Sequence, residues 1–316
     1  MKHFIFKLIL FSALIFAFDK VFILIRELTP NKELDNRLEK IAKGEIDSDI
    51  LIFGSSRGAR SIIASQITKK LNVSAFNLAY PGSNIDFHEF LLRQLILNNN
   101  KKPKIIILTV DDPLEVIANK SIQFRLDRIY PLVKYRSIRE EFVERENKNS
   151  LFSNLFVMHT LKLSQFDLRH KKHTKLDSIM DCGSMPISFK SEKFTQKFNE
   201  GNKFYDINDE SNYLRNKLKS FIDICVKNDI KLMLAIPPIF RKVDREFMNR
   251  MNSFTKDKAV LAVYDEKKKE YLSSEYFYNS THLKINGAKI YTDELITQIK
   301  QNDYFNNTNT SFEIDD

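Results

Sequence analysis

The sequence predicts an α/β fold, with a doubly wound, mostly parallel sheet flanked by helices and a largely helical insertion. Short apolar runs end in small polar residues and are followed by amphipathic segments, first at 50–53. Apolar residues at every position of so short a run are typical of strands buried on both faces. Three strand–turn–helix units in succession favour a right-handed, doubly wound sheet.

Each further element is predicted from its own periodicity and from the turn residues at its ends. The clearest turn is Tyr80-Pro81-Gly82-Ser83-Asn84. Strands are predicted at 49–53, 73–79, 104–110, 231–238 and 259–263, and helices at 57–71, 87–97, 211–228 and 243–253. Residues 276–283 are expected to open a last helix that runs to about 301.

Composition narrows the classes of partner. The chain has 316 residues and a formal charge of +9, but its Lys and Arg are interspersed with Asp and Glu. No zinc-ligand spacing or RNA-binding aromatic motif accompanies them, so no nucleic-acid partner is predicted. A basic face toward anionic lipid or an acidic glycan fits the charge. The two cysteines, Cys182 and Cys225, exclude a disulfide framework and leave a single bridge open.

The first 28 residues carry a membrane-targeting pattern. Residues 4–25 are mostly apolar, although Asp19 and Lys20 interrupt them. No small-residue cleavage site follows, so a retained signal-anchor helix over 1–28 is favoured above a cleaved signal, with lipid contact through 4–25. Basic residues near the start favour a cytoplasmic N-terminus. The protein is therefore predicted to cross the cytoplasmic membrane once, with its main domain outside.

The rest of the chain divides into a stalk, one domain and a tail. Residues 29–48 are charged and mildly helical, which suits a stalk or lead-in helix. The α/β domain is predicted at 49–301, and its insertion at 114–205 is expected to form a lid or binding surface. The tail, 302–316, is predicted to be disordered. Histidines of the insertion lack partners at metal-ligand spacing, and no metal site is predicted.

Polar residues follow the predicted strands at one edge of the sheet, where ligands of open α/β sheets bind. The loops are 54–56, 81–83, 111–113 and 279–282. Gly54 can supply the tight turn after the first strand, because glycine tolerates positive φ. A serine nucleophile needs a base and an orienting acceptor, and Ser56 and His282 can meet above a parallel sheet. The alternative is that Ser55 or Ser56 only caps the next helix.

These loops resemble the sequence blocks of the SGNH (GDSL-type) hydrolase and acyltransferase superfamily, especially its membrane-anchored, envelope-facing branch. The resemblance covers about 48–113 and 205–300. It implies that Ser56, the last residue of Gly-Ser-Ser, is the nucleophile and that the Gly82 N–H helps to form the oxyanion hole. The Asp-x-x-His block, often followed by His-Leu-Asn-x-x-Gly-Ala, matches 279–288 and implies that His282 is the base.

Two positions depart from the family pattern. Asp111 stands where the family has an oxyanion-donating Asn, and an ionised carboxylate cannot donate. Asn279 stands where the family has Asp; its amide oxygen can orient His282 but cannot stabilise imidazolium by charge. Ser55, Arg57 and Asn84 lie in the same loops and are expected, with Gly82 and Asp111, as oxyanion or binding residues.

The resemblance implies a membrane-anchored, extracytoplasmic serine esterase or O-acyltransferase acting on cell-envelope polysaccharide, with an acetyl or similar acyl group. Its partners would be the polysaccharide or acyl-donor substrate and a membrane acyltransferase, and no cofactor is expected. The alternative hypothesis is a catalytically degenerate member of this fold that binds glycan or assists envelope assembly. The two departures, Asp111 and Asn279, are the features that favour that alternative.

Overall fold

The computed structural model describes residues 1–28, 35–160, 174–190, 194–199 and 204–302. Its main sheet has five strands in the order β2-β1-β3-β4-β5, and every neighbouring pair is parallel. The strands are β1 (Ile50–Phe53), β2 (Ala75–Asn77), β3 (Ile105–Thr109), β4 (Lys231–Ile236) and β5 (Val260–Val263). Every residue of β1 and β3 is buried, which accounts for their unbroken apolar sequences. The predicted α/β class with a mostly parallel sheet is confirmed.

Helices cover both faces of this sheet. Because β2 lies on one side of β1 and β3–β5 on the other, right-handed crossovers place the helices that follow β1 on one face and the helices that follow β2 and β3 on the other. Accordingly, α11 packs against α3 and α4, whereas α5 packs against α9. The α-helices of the described residues are α1 (Lys2–Leu28), α2 (Arg37–Lys43), α3 (Ser56–Ser61), α4 (Ala64–Leu71), α5 (Ile85–Asn98), α6 (Leu126–Ile129), α7 (Arg136–Arg145), α8 (Ser150–Leu155), α9 (Asn212–Lys227), α10 (Arg245–Thr255) and α11 (Ile285–Gln301).

The crossover after β1 differs from the single helix predicted at 57–71. It breaks at Ile62 and Ile63, which are extended and buried. The Ile63 N–H donates to Thr292 Oγ1 of α11 at 3.0 Å, and the Ala64 N–H donates to Ser184 Oγ at 2.9 Å. Tertiary hydrogen bonds thus replace the helical ones at the break, which sequence periodicity could not indicate.

The segment predicted to open the last helix forms a small antiparallel hairpin instead. Its strands are β6 (Phe277–Asn279) and β7 (His282–Leu283), and α11 begins two residues later. The chain therefore turns sharply between Asn279 and His282 before the helix starts.

The chain divides into two units. One comprises 1–42 and 125–173, and the other, which holds the sheet, comprises 43–124 and 174–316. Both boundaries of the sheet unit around 125–173 fall inside the predicted insertion at 114–205, whose role as a lid or binding surface stays a prediction. Both cysteines are free, so the bridge left open by the sequence is not formed. Residues 303–316 of the predicted tail and 29–34 of the predicted stalk lie outside the described residues.

The first unit is organised around α1. Its apolar side chains are largely exposed, for example Phe4 at 70% and Leu14 at 59%. Asp19, the acidic interruption of the helix, is buried and accepts a hydrogen bond from the Met158 N–H at 2.8 Å. Lys20 Nζ pairs with the Asp19 carboxylate at 3.2 Å and donates to the Leu155 carbonyl at 2.6 Å. Among the described residues, no helix has both the length and the apolar character needed to cross a membrane.

Candidate active site

The turn after β1 delivers Ser56 to the sheet edge. Gly54 has φ +139°, and a Cβ at this position would lie 1.8 Å from Thr109 Oγ1, so the turn requires glycine. Ser55 is the N-cap of α3, and its Oγ accepts the Arg57 N–H at 3.3 Å. Of the two serines that the sequence offered as helix caps, Ser55 is the one that caps α3. Ser56 is the first residue of the helix and is half-buried.

His282 and Asn279 complete a hydrogen-bonded chain with Ser56. His282 Nε2 lies 2.8 Å from Ser56 Oγ, and His282 Nδ1 lies 3.0 Å from Asn279 Oδ1. An amide oxygen only accepts, so we assign the ring proton to Nδ1. The lone pair of Nε2 then faces the serine hydroxyl. This is the arrangement that lets an imidazole take a proton from a nucleophile.

The hairpin between β6 and β7 fixes the histidine through the same asparagine. Asn279 Oδ1 also accepts the backbone N–H groups of Thr281 at 3.1 Å and His282 at 2.9 Å. Side chains of Asn and Asp form such turns readily, since they can bond the backbone a few residues on. The three-residue spacing of Asn279 and His282 therefore orients both the backbone and the ring of the histidine.

The imidazole of His282 is held in its neutral form. Burial is the largest cause, and the positive charges of Arg60 and Arg57 add to it, so that the pKa of His282 falls to about 3. The ring is therefore free to accept a proton over a wide pH range. The neutral Asn279 supplies no negative charge to oppose the two guanidinium groups, so His282 is a weak base.

The loop containing Gly82 is hydrogen-bonded to the turn after β1, which carries Ser56. The Gly54 carbonyl accepts the Tyr80 N–H at 2.8 Å and lies 3.3 Å from Ser83 Oγ. Ser83 Oγ also lies 2.6 Å from the Tyr80 carbonyl and 2.8 Å from His88 Nε2. Gly82 itself has φ +75°. The loop is thus fixed beside the turn that carries Ser56.

A buried set of charges lies beneath this turn. Asp111 Oδ1 is 3.7 Å from an Arg57 guanidinium nitrogen, and Asp111 Oδ2 is buried without a hydrogen-bond partner among the described residues. The other Arg57 hydrogen bonds go to the carbonyls of Asp112 and Pro237, at 3.2 Å and 2.9 Å. The Asp111 N–H donates to Glu115 Oε2 at 2.8 Å. Burial raises the pKa values of Asp111 and Glu115, and the charge of Asp111 raises that of Glu115 further, to about 8.

The structure brings some of the sequence-predicted residues together in one site, whereas others make hydrogen bonds that stabilise the local fold. Ser56, His282 and Asn279 form one hydrogen-bonded chain. Asn84 caps α5 by accepting the Phe87 N–H at 3.3 Å. Direct contact of substrate with Gly82, Asp111, Ser55, Arg57 or Asn84 stays a prediction.

Three further residues around the site were not predicted from the sequence. Arg60 follows Ser56 by four positions, which places both on one helix face, and this spacing could have pointed to it. His88 and Glu115 reach the site region only through the packing of α5 and of the loop after β3. No sequence pattern singles out either of them.

No protein-family model matches this chain, and no curated protein matches it. Among solved structures, it is similar to a carbohydrate esterase whose active site is described as displaying divergent catalytic and non-catalytic binding functions. That likeness has a TM-score of 0.33 and 8% identity, over 80% of this chain and 64% of the other. It is also similar to an acetyl xylan esterase from the rumen bacterium Butyrivibrio proteoclasticus, with a TM-score of 0.34 and 9% identity over 82% and 66%. The chain spans about two thirds of the length of either structure. Likenesses this distant carry no conclusion about activity.

Proposed function

We propose that this chain is a serine esterase or O-acyltransferase that acts on acylated carbohydrate. The observation that carries the proposal is the continuous chain of hydrogen bonds from Ser56 Oγ through His282 to Asn279 Oδ1. A neutral, oriented imidazole beside a half-buried hydroxyl is the arrangement by which serine becomes a nucleophile. The resemblance of the strand-end loops to SGNH hydrolases supports the same class.

In this mechanism Ser56 Oγ forms a bond to the acyl carbonyl carbon, and its proton passes to His282 Nε2. Asn279 holds the Nδ1–H of the ring throughout. The tetrahedral intermediate then collapses, the bond to the sugar oxygen breaks, and His282 returns the proton to that oxygen. Water, or a second sugar hydroxyl in acyl transfer, attacks the acyl-serine with His282 again as base, and the serine is regenerated.

The developing oxyanion needs donors beside Ser56. The backbone N–H groups of Ser56 and Gly82 are the proposed donors, since the Gly82 loop is fixed to the turn through the Gly54 carbonyl. Asp111 occupies the position of the family's third donor, but its carboxyl interacts with Arg57. The site would therefore operate with two donors rather than three.

A membrane location and an envelope polysaccharide substrate complete the proposal. Exposed apolar side chains along α1 support attachment to a lipid surface, with the sheet unit outside the cytoplasm. Charge introduced on that surface should release the protein. Replacement of Leu10 and Leu14 by Glu is expected to shift the protein from the membrane pellet to the supernatant; retention in the pellet would remove this part of the proposal.

The activity itself is tested by acetate release from O-acetylated polysaccharide. Wild-type protein is expected to release acetate, and Ser56→Ala protein of equal thermal stability is not. If both proteins release acetate equally, Ser56 is not the nucleophile. Adding a deacetylated acceptor and measuring its mass separates transfer from hydrolysis.

A non-catalytic glycan-binding role is the second candidate. The observation that favours it is the weak base: His282 has a neutral orienting partner and two positive charges that oppose its protonation. This candidate predicts that Ser56→Ala and His282→Ala proteins bind glycan and support the cellular phenotype as well as wild type does.

A further inference from the structure

Arg60 is a partly buried cation on the helix that begins at the candidate nucleophile. It lies one helical turn after Ser56 on α3, and its Nε is buried without a hydrogen-bond partner. Within the described part of the chain, no carboxylate lies within ion-pair distance of its guanidinium, and the Asp177 charge acts on it from farther away. Arg57 on the same helix also has an unbonded, buried Nε, but it differs from Arg60 because it lies near Asp111 and donates to two backbone carbonyls.

The polar neighbours of Arg60 do not neutralise it. Its charge interacts with Tyr278, Asp177 and the imidazole of His282. The Asp177 carboxylate is bonded by the N–H and hydroxyl of Thr174, at 2.9 Å and 2.8 Å. Burial lowers the pKa of Arg60, as expected for a guanidinium whose lost hydration is not replaced. Arg60 thus keeps an unbonded Nε–H donor and can pair with a further negative charge.

An aromatic pair lies on the same side of the site. Tyr278, which precedes Asn279 in β6, packs edge-to-face against Phe189 with ring centroids 6.0 Å apart. Both rings are half-buried, so part of their apolar surface is accessible. An aromatic surface beside a guanidinium suits a ligand with an apolar ring face and an anionic substituent.

We propose that Arg60 binds an anionic group on the acyl-bearing substrate, so that the site takes esters of acidic sugars in preference to neutral ones. A carboxylate of a uronic acid and a phosphate on a sugar share the chemistry that a guanidinium recognises, two oxygens able to accept parallel N–H bonds. The inference rests on the proposed function, because it places the anion next to the ester that Ser56 attacks.

The bound anion would also act on the base. Arg60 is one of the two positive charges that disfavour imidazolium at His282. An anion paired with Arg60 cancels part of that effect, so the substrate itself supplies some of the negative charge that Asn279 lacks. Acidic substrates should therefore show a higher kcat as well as a lower KM than neutral ones.

The test compares acetyl esters of a methyl glucuronide, a methyl glucoside 6-phosphate and the neutral methyl glucoside. Wild type is expected to show a kcat/KM ratio of acidic to neutral ester of about tenfold to a hundredfold, the range for one charge-assisted contact. Arg60→Gln is expected to bring the ratio close to one, and Arg60→Lys to restore part of it. Arg136→Gln, which removes an exposed arginine of α7, should leave all three rates unchanged. The two acidic arms decide between carboxylate and phosphate.

Equal rates on acidic and neutral esters, or a preference that survives Arg60→Gln, would overturn the inference while leaving the esterase intact. A second measurement separates the inference from the proposed function. Calorimetric binding of methyl glucuronide and of methyl glucoside 6-phosphate to Ser56→Ala protein, with and without Arg60→Gln, needs no turnover. Binding of either anion that depends on Arg60 supports the inference even if no ester is cleaved. Absence of such binding to the folded protein contradicts it.

Discussion

Ser56 Oγ and His282 Nε2 are 2.8 Å apart, and Ser83 Oγ and His88 Nε2 are separated by the same distance. The two pairs differ in their surroundings. Ser56 is half-buried, and Asn279 stands behind its histidine. Ser83 and His88 are both 0% exposed, and His88 Nδ1 has no hydrogen-bond partner.

The Ser–His hydrogen bond has opposite donors in the two pairs: the histidine donates to Ser83, whereas Ser56 donates to its histidine. Ser83 lies within hydrogen-bond distance of the carbonyls of Tyr80 and Gly54, so its hydroxyl proton goes to a carbonyl and His88 must donate to its oxygen. In the other pair Asn279 fixes the proton on Nδ1, and His282 accepts from Ser56. A short Ser–His contact therefore does not define a nucleophile. An accessible hydroxyl and an acceptor behind the ring do.

The two serines should respond very differently to removal of the hydroxyl. Ser56→Ala is expected to lower kcat on an acetyl ester by about 10⁴-fold or more, as for other catalytic serines, without loss of stability. Ser83→Ala removes one of the two hydrogen-bond acceptors of the buried His88 ring, the other being the Gly54 backbone, so it should cost about 0.5–1.5 kcal/mol of unfolding free energy and reduce kcat much less. Steady-state kinetics and denaturant unfolding of both variants provide the measurement.

An equal loss of turnover in the two variants, at equal folded fraction, would mean that Ser83 also takes part in the reaction. Ser83→Thr is the matched control for Ser83→Ala, because it keeps the hydroxyl oxygen and the hydrogen bonds that this oxygen makes.

Asn279 is the second feature that distinguishes the Ser56–His282 pair from the Ser83–His88 pair. Asn279→Ala removes the acceptor behind His282 and should lower kcat by about 10²–10³-fold, since the ring loses its tautomer and its orientation. Asn279→Asp keeps an acceptor and adds a negative charge, so it should raise the rate on a neutral ester. If Asn279→Ala is as active as wild type, Asn279 does not orient His282 for catalysis.

The pH dependence of catalysis tests the protonation state of His282. Activity requires neutral His282, whose pKa burial and two arginine charges lower to about 3. The acid limb of kcat/KM on a neutral ester is therefore expected far below pH 6.5, the ordinary value for histidine. Asn279→Asp should move this limb upward, because a carboxylate favours imidazolium. An acid limb near 6.5 in wild type would contradict the electrostatic account.

His88 should affect stability rather than rate. Burial lowers its pKa to about 3, so below pH 6.5 the unfolded chain binds a proton that the folded protein refuses. Stability from this group is therefore present at neutral pH and is lost as pH falls from 6.5 toward 3, by about 1.4 kcal/mol per pH unit. His88→Gln keeps a donor toward Ser83 but cannot titrate.

The difference in unfolding free energy between wild type and His88→Gln should thus change by roughly 3 kcal/mol between pH 7 and pH 4, in favour of the variant at low pH. Other titrating groups, such as Glu115, are common to both proteins and cancel in the difference. A difference that does not vary with pH would place His88 in contact with water.

Much of this architecture follows from local sequence, and the rest depends on tertiary contacts. The buried strands β1 and β3 were predictable because every position is apolar, and Gly54 because the turn after β1 needs positive φ. The break at Ile62 was not, since it depends on hydrogen bonds from Ile63 to α11 and from Ala64 to Ser184.

The candidate site divides in the same way. Ser56 was predictable because it follows a buried strand of the parallel sheet. His282 and Asn279 lie in a separate hairpin, and the resemblance of 279–288 to the last SGNH block is what pointed to them. The environment of Asp111 was not, because Arg57 and Glu115 meet it only through the fold. Their contacts, rather than the local motif, determine the charges that lie next to the turn carrying Ser56.

The claim that Ser56, and not Ser83, is the nucleophile is tested most directly by reaction with a fluorophosphonate, followed by mass spectrometry of the proteolytic peptides. Wild type and Ser83→Thr are expected to carry one adduct on Ser56, and Ser56→Ala is expected to carry none. An adduct on Ser83, or an unlabelled wild-type protein that is fully folded, would contradict the account.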